Sequence, residues 1–249
     1  MISQQPPRVS APYEALSEKF GVKIDFKPFF LIEPLSAREF RAQHINILDF
    51  TAIVFSSRHT IDAFFNLSEE LRIKIPETMK YFCTTEAVAM YLQKHIVYRK
   101  RKIFYGTGTP DSVIALIGPK HKGENFLITK SDSGSDSMSR LFEEQKLSFQ
   151  TAVFVKSVSQ DLKDIKLSGY DLAVLYNASD VKSLKENFPD FQQGKLKFIT
   201  YGKSIVAAME EAGFEIAVKA PSPEIPSVAK AIQGHGHDRS RPPADAPLG

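Results

Sequence analysis

Gly202-Lys203-Ser204 is the tripeptide of this chain that most openly suggests chemistry, because Gly-Lys-Ser closes the phosphate loop of nucleotide-binding proteins. That loop also needs a glycine five residues before Gly202, and the residue there is Lys197. Phe198 to Tyr201 read as a strand, so the segment that would wrap the phosphates is missing. What remains is a strand, a tight polar turn and a helix start, whose first backbone N–H groups lack partners and can receive an anion. The same unit recurs along the chain. Thr51–Phe55 runs into Ser56, Ser57 and Arg58; Met79–Phe82 into Cys83, Thr84 and Thr85; Phe126–Ile128 into a turn holding Ser131; Leu172–Tyr176 into Asn177, Ala178, Ser179 and Asp180. The candidate anion-binding residues are therefore Ser56, Ser57, Arg58, Thr84, Thr85, Ser131, Asn177, Ser179, Gly202, Lys203 and Ser204. Serine, threonine and asparagine at these places equally suit plain helix capping. An arginine in a first helical turn is either solvated or a bidentate partner for a carboxylate.

Other chemistries find little support. No paired carboxylates, Ser-His-Asp set or Cys-His set has a supporting spacing, so no catalytic side chain is assigned. Gly106-Thr107-Gly108 lacks the third glycine of a dinucleotide fingerprint and reads as a turn before a helix opening at Pro110-Asp111. His235 and His237 lie in a Gly/Pro-rich end and fall short of the three or four fixed ligands of a metal site, so no metal is expected. Cys83 is the only cysteine, cannot form an internal disulfide, and reads as a small apolar residue at a strand end. The basic run Tyr98-Arg99-Lys100-Arg101-Lys102 sits between β-like residues in a chain of net charge +3; it reads as a solvated strand end, and no nucleic-acid partner is expected.

Short apolar strands alternating with helical segments predict an α/β protein with parallel sheets covered on both faces. In such sheets the strand-to-helix turns gather on the C-terminal edge, where ligands bind. Two stretches break the alternation, Val22–Glu33 and Phe149–Ser159, each long and β-rich. Ser36–Leu48 reads as a linker with a short helix over Ala37–Gln43, and 234–249 as a disordered tail. Apolar residues make up 43% of the 249, yet no run approaches the ~20 needed for a membrane span. Met1–Ser10 lacks the apolar core of a secretory signal, so a cytoplasmic location is expected. Only Met1-Ile2 precedes polar residues, which predicts either a short first strand or a start further upstream.

The stretches 19–29 (KFGVKIDFKPF), 45–65 (INILDFTAIVFSSRHTIDAFF), 75–83 (IPETMKYFC), 91–108 (YLQKHIVYRKRKIFYGTG), 187–194 (NFPDFQQG) and 220–232 (APSPEIPSVAKAI) occur in the order and spacing of one family. Over nearly all of residues 3–233 the chain resembles uroporphyrinogen-III synthase in its Bacteroidetes form. The resemblance implies two flavodoxin-like α/β domains joined by a two-stranded β ladder. The first would be discontinuous, 1–32 plus 160–233; the second would be 36–148; the ladder would be 22–33 and 149–159. It implies a cytoplasmic, monomeric lyase of tetrapyrrole biosynthesis, with no metal or organic cofactor and a small-molecule partner. The substrate would be linear hydroxymethylbilane, cyclised with loss of water and inversion of the last pyrrole ring. Its acetate and propionate groups suit an interdomain cleft lined by helix N-termini.

The chain departs from the family at several turns. Val155 stands where the family carries a tyrosine suited to assisting the leaving hydroxyl. Asp180 replaces a glycine and would bring negative charge to a carboxylate site. Lys203 replaces a proline, Ile205 loses a hydroxyl, Thr129 replaces a proline, and Ser135 aligns with a basic residue. These changes leave open a second reading, a tetrapyrrole- or anion-binding paralogue with weak or no catalysis.

Overall fold

A computed structural model describes residues 1–202 and 204–238; the side chains of Ser204 and of residues 235–238 lie outside the description. The chain divides into two compact units, Met1–Leu31 with Ser159 onward, and Ile32–Val158. It crosses from one unit to the other inside β1 (Phe30–Pro34) and near the end of β6 (Ser148–Ser159).

The Ile32–Val158 unit carries a six-stranded sheet. Its remaining strands are β2 (Ala52–Phe55), β3 (Lys80–Cys83), β4 (Ile103–Tyr105) and β5 (Asn125–Ser131), in the order β1-β6-β5-β2-β3-β4. β2 pairs in parallel with β3 and β5, β3 with β4, and β5 with β6. The strands read as unbroken apolar runs because both faces are buried. Ile53, Phe55, Tyr81, Cys83 and Leu127 face one core, which α3 (Arg58–Glu70) covers with Ile61, Phe64 and Leu67 and α4 (Glu86–Tyr91) with Val88 and Ala89. Ala52, Val54, Phe82, Phe126 and Ile128 face the other, covered by Val113 and Ile117 of α5 (Pro110–His121) and by Met138 and Phe142 of α6 (Ser137–Glu144). The strict alternation of neighbours between two cores is the period-2 geometry of a strand. A short helix, α2 (Ala37–Arg41), opens on a capping box between Ser36 and Glu39.

The second unit is a smaller copy of this plan. β7 (Leu172–Leu175), β8 (Lys197–Tyr201) and β9 (Ile216–Ala220) pair in parallel. Ile2 extends the order by bridging to Val174 on one side and Phe26 on the other, both in parallel. Ala173, Leu175 and Phe198 face a core filled by α7 (Ala178–Asn187) and α8 (Ser204–Glu211); Val174 and Ile199 face one filled by α1 (Ala11–Phe20) and α9 (Val228–Asp238).

Three expectations change. In the stretch 22–33 regular strand begins only at Phe30, and Phe26 makes a single bridge; Pro28 supplies no N–H and interrupts the ladder. The first five residues of the expected tail, 234–238, belong to α9, and the remaining residues lie outside the description. The basic run 98–102 is a turn leading into β4, with Arg99 paired to Glu77 at 3.6 Å. No helix among the described residues is long and apolar enough to cross a membrane.

Cys83 ends β3 with 0% of its surface exposed, and burial pushes its thiol up to about 12. The thiolate is the reactive form. Native protein should therefore resist iodoacetamide for hours while urea-unfolded protein is modified completely; fast native labelling, read by mass spectrometry, would contradict this packing.

Candidate functional site

Strand order tells where an open parallel sheet binds ligands. Counted from β2, the larger sheet runs 3-2-1-4-5, and the direction of winding reverses between β2 and β5. At such a reversal the two following turns diverge and leave a crevice beyond the strand ends. The turn after β2 carries Ser56, Ser57 and Arg58, and the turn after β5 begins at Ser131. Thr129 ties the strands together just below: its hydroxyl, in a residue 2% exposed, donates to the Val54 carbonyl at 2.8 Å. The threonine that stands for the family's proline thus has a cross-strand role.

Ser57 is the N-cap of α3 and accepts from the Thr60 N–H at 3.2 Å. Among the described residues no side chain caps the first two N–H groups of the helix, on Arg58 and His59. Both residues are exposed. The neighbouring turn after β3 is laced to this one, because Thr84 N–H donates to the Phe55 carbonyl at 3.0 Å and Thr84 Oγ1 to the Ser56 carbonyl at 3.4 Å. Thr85 caps α4 by accepting from Val88 N–H at 3.3 Å. Gly108 N–H donates to the Thr84 carbonyl, which attaches the turn after β4 as well. Ser56, Ser57, Arg58, Thr84 and Thr85 thus form one continuous rim, with Ser131 beside them. Ser131 uses its carbonyl to accept from Gly134 N–H and close its own turn.

Arg58 is held by residues that the sequence reading did not single out. Its guanidinium lies 5.3 Å from the centre of the Tyr91 ring, a cation–π contact. Tyr91 is fixed in turn by its hydroxyl, which donates to Asp62 at 2.7 Å; Lys94 and His95 reach the same carboxylate at 3.0 and 2.7 Å. Burial works against the charge of Asp62, but the hydrogen bonds from Tyr91, His95 and Lys94 outweigh it and hold its pKa down at about 2. The signal available in the sequence was Asp62 four residues after Arg58, one helical turn away on the same face. Nothing in the sequence placed Tyr91 beside them.

The smaller unit behaves differently. Across it the order is Phe26, Ile2, β7, β8, β9, or 2-1-3-4-5 in chain order, with the reversal between Ile2 and β7. The turn after β7 is closed upon itself. Asn177 Oδ1 accepts from Ser179 and Asp180 N–H at 2.8 and 3.3 Å, while Asp180 Oδ2 accepts from Tyr176 and Asn177 N–H at 2.7 and 3.2 Å. These bonds occupy the N–H donors of Tyr176, Asn177, Ser179 and Asp180, while among the described residues no side chain accepts from the Ala178 N–H. Ser179 is 5% exposed and turned inward, which removes it from the ligand-facing set. Asn177 is half-buried and faces its own helix.

Asp180 does not project negative charge onto the rim, as its place in the turn had suggested. It is 0% exposed. Burial raises its pKa from 3.8 to about 6, against the lowering effect of the two backbone N–H groups and of Ser3 beside it. Asp180 Oδ1 and Ser3 Oγ lie near one another without completing a hydrogen bond. Gly202 follows β8 with φ +123°, a conformation that favours glycine, and donates its N–H to the Ala220 carbonyl at 2.7 Å. Lys203 and the Ser204 side chain lie outside the described residues. Ile205 is a core residue of α8 with 0% exposure.

Val155 is 3% exposed and belongs to the larger unit's core together with Phe154. A register shift between Lys130 and Ser131 in the β5–β6 pairing lets both neighbours turn inward. A tyrosine there would need room for a ring and a partner for its hydroxyl. Val155→Tyr is expected to cost about 1–3 kcal/mol through overpacking and to leave any cyclising activity unimproved; a rise in activity with unchanged urea midpoint would refute this.

The fold and rim define a class: two doubly wound α/β units, one built from both ends of the chain, with an edge of hydroxyls, a helix start and a braced arginine. The sequence profile of the uroporphyrinogen-III synthase HemD family matches residues 11–230. This chain belongs to that family. Among curated proteins no sequence matches it. Among solved structures it is similar to a mutant uroporphyrinogen III synthase from the extremely thermophilic bacterium Thermus thermophilus, with TM-score 0.54 and 14% identity over 96% of this chain and 98% of that one. It is equally similar to the uroporphyrinogen-III synthetase of Helicobacter pylori, with TM-score 0.54 and 16% identity over 86% and 94% of the two chains. At such identities the structural likeness speaks for the fold.

Proposed function

We propose that this protein is a catalytically active uroporphyrinogen-III synthase, a lyase that cyclises linear hydroxymethylbilane with loss of water and inversion of the last pyrrole ring. The observation that supports the reading is the rim after β2 and β3, which brings together the exposed first turn of α3 at Arg58 and His59, the hydroxyls of Ser56, Ser57, Thr84 and Thr85, and braced Arg58. Such a rim holds acetate and propionate groups by backbone N–H donors and one fixed cation. Loss of hydroxide from the hydroxymethyl carbon leaves a delocalised cation on the terminal pyrrole. Ring closure then depends on presenting the inverted ring to that carbon, so the chain's contribution is positioning and electrostatic preorganisation. The protein acts as a cytoplasmic monomer on this small molecule, without an added cofactor.

The test is incubation of purified protein with freshly made hydroxymethylbilane and separation of the product isomers. Type III isomer well above the spontaneous type I product is expected; type I alone from folded protein would overturn the proposal. A specific observation favours a second reading. The self-closed turn Asn177–Asp180 and the core position of Val155 suit a paralogue that binds the tetrapyrrole without turning it over. Tight binding of the product without type III formation would select it.

A further inference from the structure

A hollow in the smaller unit lies at the opposite edge of its sheet from the turns described above. Leu172 and Lys197, the first residues of β7 and β8, line it, so it opens at the N-terminal strand ends. Its volume is about 860 Å³, within the range of small-molecule sites, roughly 300–1,000 Å³. The hollow has a cause in the backbone. Gly21 ends α1 with φ +61° and turns the chain away, and the following segment rejoins the sheet only at Phe26. Val22–Asp25 pass this edge without regular strand structure and form part of the wall of the hollow.

The wall divides by chemistry. Ile2, Ile24, Ile165, Leu172 and Ile232 supply an apolar interior. Lysines 166, 195 and 197 stand exposed at the mouth, and among the described residues no carboxylate forms an ion pair with Lys166, Lys195 or Lys197. The carboxylates within the wall are engaged elsewhere. Asp25 is paired with Lys23 at 3.5 Å and accepts from the Tyr170 hydroxyl at 3.1 Å, and Asp171 faces the Met1 amino group. Asp164 opposes the three lysines with one negative charge. The result is an oily pocket with a positive lip.

We infer that this hollow is a second binding site, for an amphipathic organic anion: an apolar body seated on the isoleucines and a carboxylate, sulfonate or phosphate head at the lysines. Apolar burial supplies most of the affinity. The lysines select the sign of the head group, and this part is screened by salt. The site shares no residue with the Ser57 rim and does not depend on the proposed cyclisation.

The probe is 8-anilinonaphthalene-1-sulfonate, titrated by fluorescence into the full chain, with laurate, dodecanol and dodecylamine as competitors. Saturable binding at one site is expected, displaced by laurate at least about tenfold more effectively than by dodecylamine and weakened by salt. Lys166→Glu with Lys197→Glu, both on exposed positions, should weaken probe and laurate about tenfold with unchanged circular dichroism. Nitrogen-15 chemical shifts should move at Gly21 and Gly169, which also line the hollow, and stay still at Ser57 and Thr85. Absence of saturable binding, indifference to the charge reversals, or shifts confined to the rim would each overturn the inference.

Discussion

Asp180→Asn is expected to stabilise the protein by about 3 kcal/mol near pH 7.5 and to change little near pH 4. Asp180 is fully buried, and its pKa is raised from 3.8 to about 6 mainly by burial. An acid with a higher pKa in the folded state binds its proton more tightly there than in the unfolded chain. Its favourable contribution is therefore complete below about pH 4 and is lost as pH rises through about 6. A shift of about two units corresponds to about 3 kcal/mol of penalty on the charged form. Asparagine keeps an acceptor for the Tyr176 and Asn177 N–H groups, bears no charge, and offers an NH₂ donor toward the unpartnered Ser3 hydroxyl. Urea unfolding of both proteins at pH 4.0 and 7.5 decides the matter. A stability difference that is the same at both pH values, or an asparagine variant weaker at both, would show that Asp180 is held by contacts rather than penalised for its charge. The comparison also bears on function, because it distinguishes an inward structural aspartate from one reserved for substrate.

Ser57→Asp is expected to leave folding nearly unchanged and to weaken substrate binding several-fold. Aspartate is as good an N-cap as serine and complements the positive end of a helix, so the change in stability should stay within about 0.5 kcal/mol. The same carboxylate would sit against the Arg58 and His59 N–H groups, where the proposed function places a substrate carboxylate. Two unit charges 4 Å apart repel by about 4 kcal/mol at an effective dielectric constant of 20. Exposure reduces that to about 1 kcal/mol, or roughly a fivefold rise in KM for hydroxymethylbilane with a smaller effect on kcat. An unchanged KM would reduce Ser57 to a cap and remove the rim from the proposed site. Thr85→Asp provides a second position with the same logic, since Thr85 caps α4 through the same type of bond.

Much of the architecture was legible beforehand, because strand-turn-helix units declare themselves locally. Thr51–Phe55 followed by Ser56-Ser57 predicts a buried strand and a capped helix from composition alone, and β2 and α3 form there. The run Val22–Glu33 misled, because residues of high β propensity become a strand only when a neighbour offers a ladder, and Pro28 removes a donor in its middle. The site was half legible. Ser57 and Thr85 were identifiable as caps or anion ligands, and both do cap. Ser179 read the same way in a linear chain and Asp180 as a negative charge at the site, yet both face inward.

A parallel α/β chain of the uroporphyrinogen-III synthase family, with polar turns at the strand ends, could be read from the residues alone. These properties rest on local propensity, period and motif order, which need no partner distant in sequence. Which turns stay open depends on contacts between segments distant in sequence. Arg58 is braced because Tyr91 and Asp62 meet beneath it. The turn Asn177–Asp180 is shut because its aspartate swings under the backbone beside Ser3, a residue far away in sequence. Whether a donor is available to a ligand depends on what else reaches it in three dimensions, and that is set by burial and strand order rather than by the residue's own type.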